Sequence, residues 1–366
     1  MTRKPTDKIF LISIISLVLV GAFIFLSASL GLLAKEGPRL GSVAFNQLIL
    51  GLLIGGGLCF LVSRVNYKIW RRFAFYIFLG SIIISLLVFV PGIGREYSGA
   101  KRWIEVLGFS FQTSELLKLA FIIYFAAWLS GIRDHIQTIK FGLIPLMVLV
   151  AILASLLLTQ PDTDTFLLIT VTALAMFIAG GGKIKHLLIL TLIASIGVGV
   201  LAFNRPYIKS RIDTFLNPSL DPQGKSFQIQ QSLIAVGSGE ILGRGFGQSI
   251  QKFGYLPEPI GDSVFAVAAE EFGFVGSALL ILLFLLFGLR GFRIASRAPD
   301  TFAGLTALGI VFLISLQSLL NIAAMLGIIP LSGVPLLFIS KGGTALLFTL
   351  VAVGIVLNIS RYQRNV

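Results

Sequence analysis

The sequence predicts an all-α polytopic membrane protein, with about ten transmembrane helices and a large extracytoplasmic loop between the seventh and the eighth. Two observations carry that prediction. Hydrophobic residues make up 56% of the 366-residue chain and charged residues only 12%, whereas soluble domains are about a quarter charged. The mean hydropathy is +0.96. The apolar residues also cluster, in about ten nearly charge-free stretches, each long enough as a helix to cross a hydrocarbon core of about 30 Å.

In order, the stretches lie near 9–34, 43–63, 72–91, 112–131, 141–160, 163–182, 184–203, 263–289, 302–329 and 333–360. The first follows Arg3, Lys4 and Lys8, and its apolar run exceeds the core of a cleavable signal, so it reads as a retained span. No stretch reads as a separate soluble domain, and residues 1–366 are taken as a single integral membrane domain with an extracytoplasmic loop at 204–262. The lone cysteine, Cys59, excludes an intramolecular disulfide and a multi-thiolate metal site.

Basic residues favour short cytoplasmic loops. With the N-terminus inside, ten spans gather Arg64, Lys68, Arg71, Arg72, Arg290, Arg293 and Arg297 with both basic termini on the cytoplasmic face, against Asp7, Asp134 and Asp300. This asymmetry, facing anionic membrane lipids, accounts for much of the formal charge of +13, and no basic tract is dense enough to argue for nucleic acid. The other acids fall on the outer face, which makes that face the working one. Two outer segments are more than connectors: residues 92–111 and the 204–262 loop.

Within the second lies "YLPEPIGDSVFAVAAEEFGFVG", residues 255–276, where Glu258, Asp262, Glu270 and Glu271 crowd against a long apolar run. An Asp directly before such a run is a favoured helix N-cap; an acid at a membrane surface also suits the removal of a proton from a hydroxyl. Upstream, Gly237, Gly239, Gly243, Gly245 and Gly247 either allow tight turns or, with Arg244 and Lys252, wrap a lipid-borne phosphate. Lys101 and Arg102 flank Trp103 as snorkelling cations of an aromatic belt or as a pyrophosphate clamp. Glu115 and Lys118, one turn apart inside a span, form a candidate ion pair. In "QPDTDT", Asp162 and Asp164 hold a divalent cation, Mg or Mn, or else Asp162 or Thr163 caps a helix.

Five segments together resemble one family: "GAKRWI" at 99–104, "QTSELLKL" at 112–119, "QPDTDT" at 160–165, "QQSLIAVGSGEILGRGFGQSIQKFGYLPEPIGDSVFAVAAEEFGFVG" at 230–276 and "GIIPLSGVPLLFISKGG" at 327–343. The chain is similar to the SEDS proteins (shape, elongation, division and sporulation), and to their FtsW division branch more than to the RodA elongation branch. It departs from the family pattern at Thr113 (usually Pro), Asp164 (usually Gly), the neighbours Ile260, Gly261 and Ser263, and Lys341 (usually aromatic). The resemblance implies a peptidoglycan glycosyltransferase of the bacterial cytoplasmic membrane, with Asp262 as its essential residue. It also implies lipid II as substrate and a class B penicillin-binding protein and other division or elongation proteins as partners. Lys101, Arg102, Glu115, Lys118, Arg244, Lys252, Glu258 and Lys341, the last a departure from the family pattern, are the candidate substrate-binding residues. A lipid II flippase and a non-catalytic scaffold for a partner synthase are the alternative readings.

Overall fold

The computed structural model describes residues 5–34, 40–97, 100–106, 109–186, 211, 213–216 and 225–364. Helix α1 (Lys8–Ser29) starts where the Asp7 carboxylate accepts from the Phe10 N–H at 3.0 Å. A second crossing joins α2 (Leu40–Phe45), a π-helical stretch (Asn46–Ile54) and α3 (Gly55–Arg64). It is followed by α4 (Lys68–Leu86), α5 (Thr113–Gly131), α6 (Ile144–Thr159) and α7 (Thr163–Ala179). After α8 (Lys225–Ser238) come α9 (Val264–Ser296), α10 (Thr301–Met325) and α11 (Gly343–Ser360).

Eight of the described helical segments are long and apolar enough to cross a membrane, and α7 is a shorter apolar helix. Of the expected seventh span, 184–203, only residues 184–186 are described; residues 204–210, 212 and 217–224 of the expected outer loop likewise lie outside the described residues. Helix α10 is central, packing against α5, α7, α9 and α11, while α11 lies along α3 and α1 along α9. Without a hydrophobic drive between helices in lipid, close approach rests on small residues. At Gly354 of α11, an added Cβ would lie 2.8 Å from the Cys59 carbonyl of α3.

The all-α expectation needs two amendments. The described residues between Gly94 and Gln112 form a three-stranded antiparallel sheet in the order β1 (Gly94–Tyr97), β2 (Ala100–Val106) and β3 (Phe109–Gln112). "AKRWIEV" places apolar residues at 100, 103, 104 and 106 and charges at 101, 102 and 105, with no strict period of two, so the strand leaves no clear cue in the sequence. The expected last span, 333–360, begins ten residues late: residues 326–342 form an irregular segment, and helix resumes at Gly343. Pro330 and Pro335 each lack a backbone donor, which disfavours helix there, and the segment's polar groups bond elsewhere in the molecule.

The bundle has two distinct ends. Both termini share one, where the Asp7 N–H donates to Ser360 Oγ at 3.2 Å, Arg290 Nε donates to Asp7 at 3.1 Å and the Tyr67 N–H donates to Asn358 Oδ1 at 3.0 Å. The opposite end carries the turn at 258–263 and the segment 333–342.

Candidate active site

A cavity of about 520 Å³ opens at the end opposite the termini, lined by Asn46, Gln47, Trp103, Glu258, Asp262 and Lys341 among others. Its size lies within the range of small-molecule sites, roughly 300–1,000 Å³. Segments far apart in sequence build it, among them the π-helical stretch of the second crossing, β2, and two irregular loops.

The two loops hold each other. Asn321, inside α10, donates from Nδ2 to the Asp262 carbonyl at 2.9 Å and to the Val334 carbonyl at 2.8 Å. Ser340 Oγ donates to the Gly261 carbonyl at 2.8 Å, and the Lys341 N–H to the Ile260 carbonyl at 2.6 Å. Gln47 completes the clasp, accepting from the Gly342 N–H at 2.9 Å and donating to the Ser340 carbonyl at 3.1 Å. Backbone that runs irregularly at this depth is tolerated only when its polar groups find such partners. Within the turn, Glu258 takes a left-handed φ of 44°, a strained conformation for a non-glycine residue that tends to gather at functional sites.

Asp262 does not cap the helix. The N-cap of α9 is Ser263, whose side chain makes no capping bond, and the Asp262 carboxylate faces the cavity instead. Its pKa is pushed up from 3.8 to about 6, chiefly because enclosure strips water from the charged form, and further by the carboxylates of Glu258 and Asp164; Arg102 and Arg211 act in the opposite sense.

Glu258 and Lys341 line the cavity with Asp262. Arg102 pairs with the buried Asp162 at 3.0 Å, close enough to Asp262 to act on its charge. Lys101 does not converge on the cavity: it is exposed and pairs with Glu96 of β1 at 3.8 Å. Glu115 and Lys118 form the expected ion pair at 2.8 Å, both buried, with Lys118 Nζ also donating to Gln317 Oε1 at 2.9 Å. They face a separate void of about 30 Å³, and Gln317 Nε2 continues to the Pro335 carbonyl, so the pair props the clasp from behind.

Arg244 and Lys252 also serve elsewhere. Lys252 is fully buried and donates to Glu271 at 2.7 Å and Ser27 Oγ at 3.0 Å. Glu270 accepts from Ser249 Oγ and from the Ile250 and Gln251 N–H groups, with Arg244 at 3.6 Å. The neighbouring glycines make turns rather than a phosphate cradle. Helix α9 breaks at Gly273 (φ 65°, ψ −164°), and the freed carbonyls of Glu270 and Glu271 accept from the N–H groups of Arg244 and Gly245 at 3.0 and 2.9 Å. In return, the Phe274 and Val275 N–H groups donate to the carbonyls of Glu240 and Ile241. The glycine-rich segment thus repairs a broken helix, and Gly243, Gly245 and Gly247 supply the positive φ that this path demands.

The "QPDTDT" turn does not fit a divalent cation. Asp162 caps α7 through the Thr165 N–H and faces Arg102, whereas both Asp164 oxygens lie 3.0 Å from Arg211 Nη1. Among the described residues no group of three or more His, Cys, Asp or Glu side chains could hold a metal ion. Sequence reasoning missed Arg211, which sits within the long outer loop with no motif around it, and Asn321, a lone polar residue inside an apolar run.

A family profile described as "Cell cycle protein", covering FtsW, RodA and SpoVE, matches residues 7–365. The chain belongs to the FtsW/RodA/SpoVE family. It is 39% identical to the stage V sporulation protein E of Bacillus subtilis (strain 168), with 100% of both chains covered. It is 37% identical to a probable peptidoglycan glycosyltransferase FtsW of Geobacter sp. (strain M18), covering 98% of each. Among solved structures, a chain of a peptidoglycan synthase complex that coordinates polymerization and crosslinking matches with a TM-score of 0.79 at 26% identity, over 98% of this chain and 99% of that one. The rod shape determining protein RodA of Thermus thermophilus matches with a TM-score of 0.66 at 27% identity, over 95% and 97%. The bundle described above is therefore that of the FtsW/RodA/SpoVE family.

The raised proton affinity of Asp262 makes a prediction about stability. Between pH 4 and 6 the folded chain keeps a proton that the unfolded chain has released, so the wild type loses stability as pH rises through that window. Asp262→Asn, which never ionises, is expected to unfold at a higher temperature than wild type at pH 7.5, with the gap closing by about pH 4. Thermal unfolding in detergent at both pH values measures it; a variant less stable at pH 7.5 would show instead that the carboxylate is stabilised by its surroundings.

Proposed function

We propose that this protein is a peptidoglycan glycosyltransferase that polymerises lipid II at the outer face of the bacterial cytoplasmic membrane, in cell division or in the maintenance of cell shape. The observation that carries the reading is Asp262: a carboxylate with raised proton affinity, facing a sugar-sized cavity rather than capping its helix. Membership of the family and the activity for which the FtsW relatives are named support it.

In the reaction, Asp262 takes the proton from the acceptor's 4-hydroxyl as that oxygen attacks the anomeric carbon of the donor, with inversion. The bond from that carbon to the polyprenyl diphosphate breaks, and the diphosphate departs with the electron pair. A base with a pKa near 6 is largely ionised at neutral pH yet more basic than an ordinary carboxylate, the compromise that general-base catalysis favours. Lys341 on the cavity wall and Arg102 beside it supply positive charge for the leaving group. Charges inside spans would favour a transporter, but Glu115, Lys118, Glu270 and Glu271 each have a partner close by.

Orientation and partner complete the proposal. Both termini face the cytoplasm, as the basic residues at their end of the bundle favour, and the cavity faces outward. The partner is a class B penicillin-binding protein, a single-span transpeptidase, because this chain carries no serine transpeptidase motif to crosslink the strands it makes.

Polymer formed from lipid II by purified protein, with and without the transpeptidase, tests the activity. Wild type is expected to polymerise and to gain from the partner; Asp262→Asn is expected to lose about a hundredfold or more in both settings while still binding lipid II. A fully active Asp262→Asn enzyme would remove the base from the mechanism. For orientation, single cysteines replacing the exposed Tyr255 and Arg293 in a Cys59→Ser background are labelled in intact cells with an impermeant maleimide. Labelling of the first alone is expected, and labelling of the second alone would invert the topology.

A further inference from the structure

Asp164, in the first turn of α7, carries a carboxylate that the reading of the site above does not use. Both of its oxygens lie 3.0 Å from Nη1 of Arg211. The pair is sheltered, with side-chain exposures of 18% and 25%, which raises its value above that of an ordinary surface ion pair. The same guanidinium lies close enough to Asp262 to act on its charge. A single point defines the arrangement: a Cβ placed on Gly333 would lie 3.5 Å from Asp262 Oδ2, 3.6 Å from Arg211 Nη2 and 4.0 Å from Asp164 Oδ2. Gly333 itself is exposed, so the three groups converge at an outward-facing point of the backbone.

An arginine so placed solves an electrostatic problem. If Asp262 is the base, it must be anionic while a donor carrying a lipid-linked diphosphate binds next to it, and two anions close together in an enclosed site repel strongly. A guanidinium held between them offsets both charges, and its planar fork matches phosphate oxygens better than an ammonium would. Asp164 fixes where that fork sits.

We infer that Asp164 positions Arg211 as a clamp for the diphosphate of a lipid-linked sugar donor. Arg211 touches the substrate; Asp164 acts through Arg211. This rests on the reading of the site as a glycosyltransferase centre and adds to it a residue that recognises the leaving group.

The test measures binding of undecaprenyl diphosphate to the purified full-length chain in detergent, alongside polymerisation of lipid II. Arg211→Gln is expected to weaken diphosphate binding about ten- to a hundredfold, the worth of a hydrogen bond to a charged group, and Arg211→Lys to restore part of it. Asp164→Asn and Asp164→Gly are expected to weaken it roughly two- to fivefold in the wild-type background and to change nothing in the Arg211→Gln background, since Asp164 works only through the arginine. Unaltered diphosphate affinity in Arg211→Gln, with only a lowered unfolding temperature, would overturn the clamp and leave a purely structural pair. Additive losses from the two positions would overturn the positioning role of Asp164. Wild-type protein that binds the diphosphate through Arg211 yet makes no polymer would sink the glycosyltransferase reading and leave the clamp standing.

Discussion

The site depends on a clasp of hydrogen bonds between two irregular loops. The turn at 258–263 and the segment at 333–342 have little regular backbone structure of their own, and each satisfies the other. Asn321, Ser340, Gln47 and the Lys341 N–H place donors on the carbonyls of residues 260–262, 334 and 340. Removing one donor would strand a buried carbonyl, a loss of about 1–3 kcal/mol, and would loosen the residue whose position matters most. Behind the clasp, Gln317 ties Pro335 to the buried Lys118 and Glu115. Charges that look like a transport pathway in the sequence are better understood as its foundation.

A second constraint arises where α9 breaks. A helix interrupted at membrane depth exposes carbonyl and N–H groups that lipid cannot satisfy. The segment following α8 meets both sets, and the buried Lys252–Glu271 pair with Ser27 pins it to α1. The acids at 258, 262, 270 and 271 thus divide by depth. The outer two line a cavity, and the inner two hold the scaffold that presents it.

Much of the fold was legible because a bilayer leaves helices few alternatives: long apolar runs are spans, and eight described helices meet that description. The sheet at 94–112 was hidden because "AKRWIEV" carries no strict alternation and the surrounding composition favours helix. The late start of α11 was hidden because residues 333–342 are as apolar as a span; only the prolines before and within that segment hinted otherwise. Asp262, Glu258 and Lys341, singled out in the sequence, all line the cavity. Arg244, Lys252 and Lys101 lie apart from the cavity: sequence adjacency to glycines cannot show which acids lie across the bundle, and only strand register reveals that Lys101 faces Glu96. Arg211 and Asn321 could not be found, since their roles exist only through contacts made across long stretches of chain.

The central claim is that this architecture holds Asp262 as a base with a pKa near 6. The pH dependence of lipid II polymerisation under single-turnover conditions tests it most directly, with folding monitored at each pH. The account predicts a rate that is level above about pH 7 and falls tenfold per pH unit below about pH 6, as the carboxylate takes up its proton. A rate that stays level down to about pH 4.5 in folded protein would contradict it, because a base of that affinity would by then be almost wholly protonated.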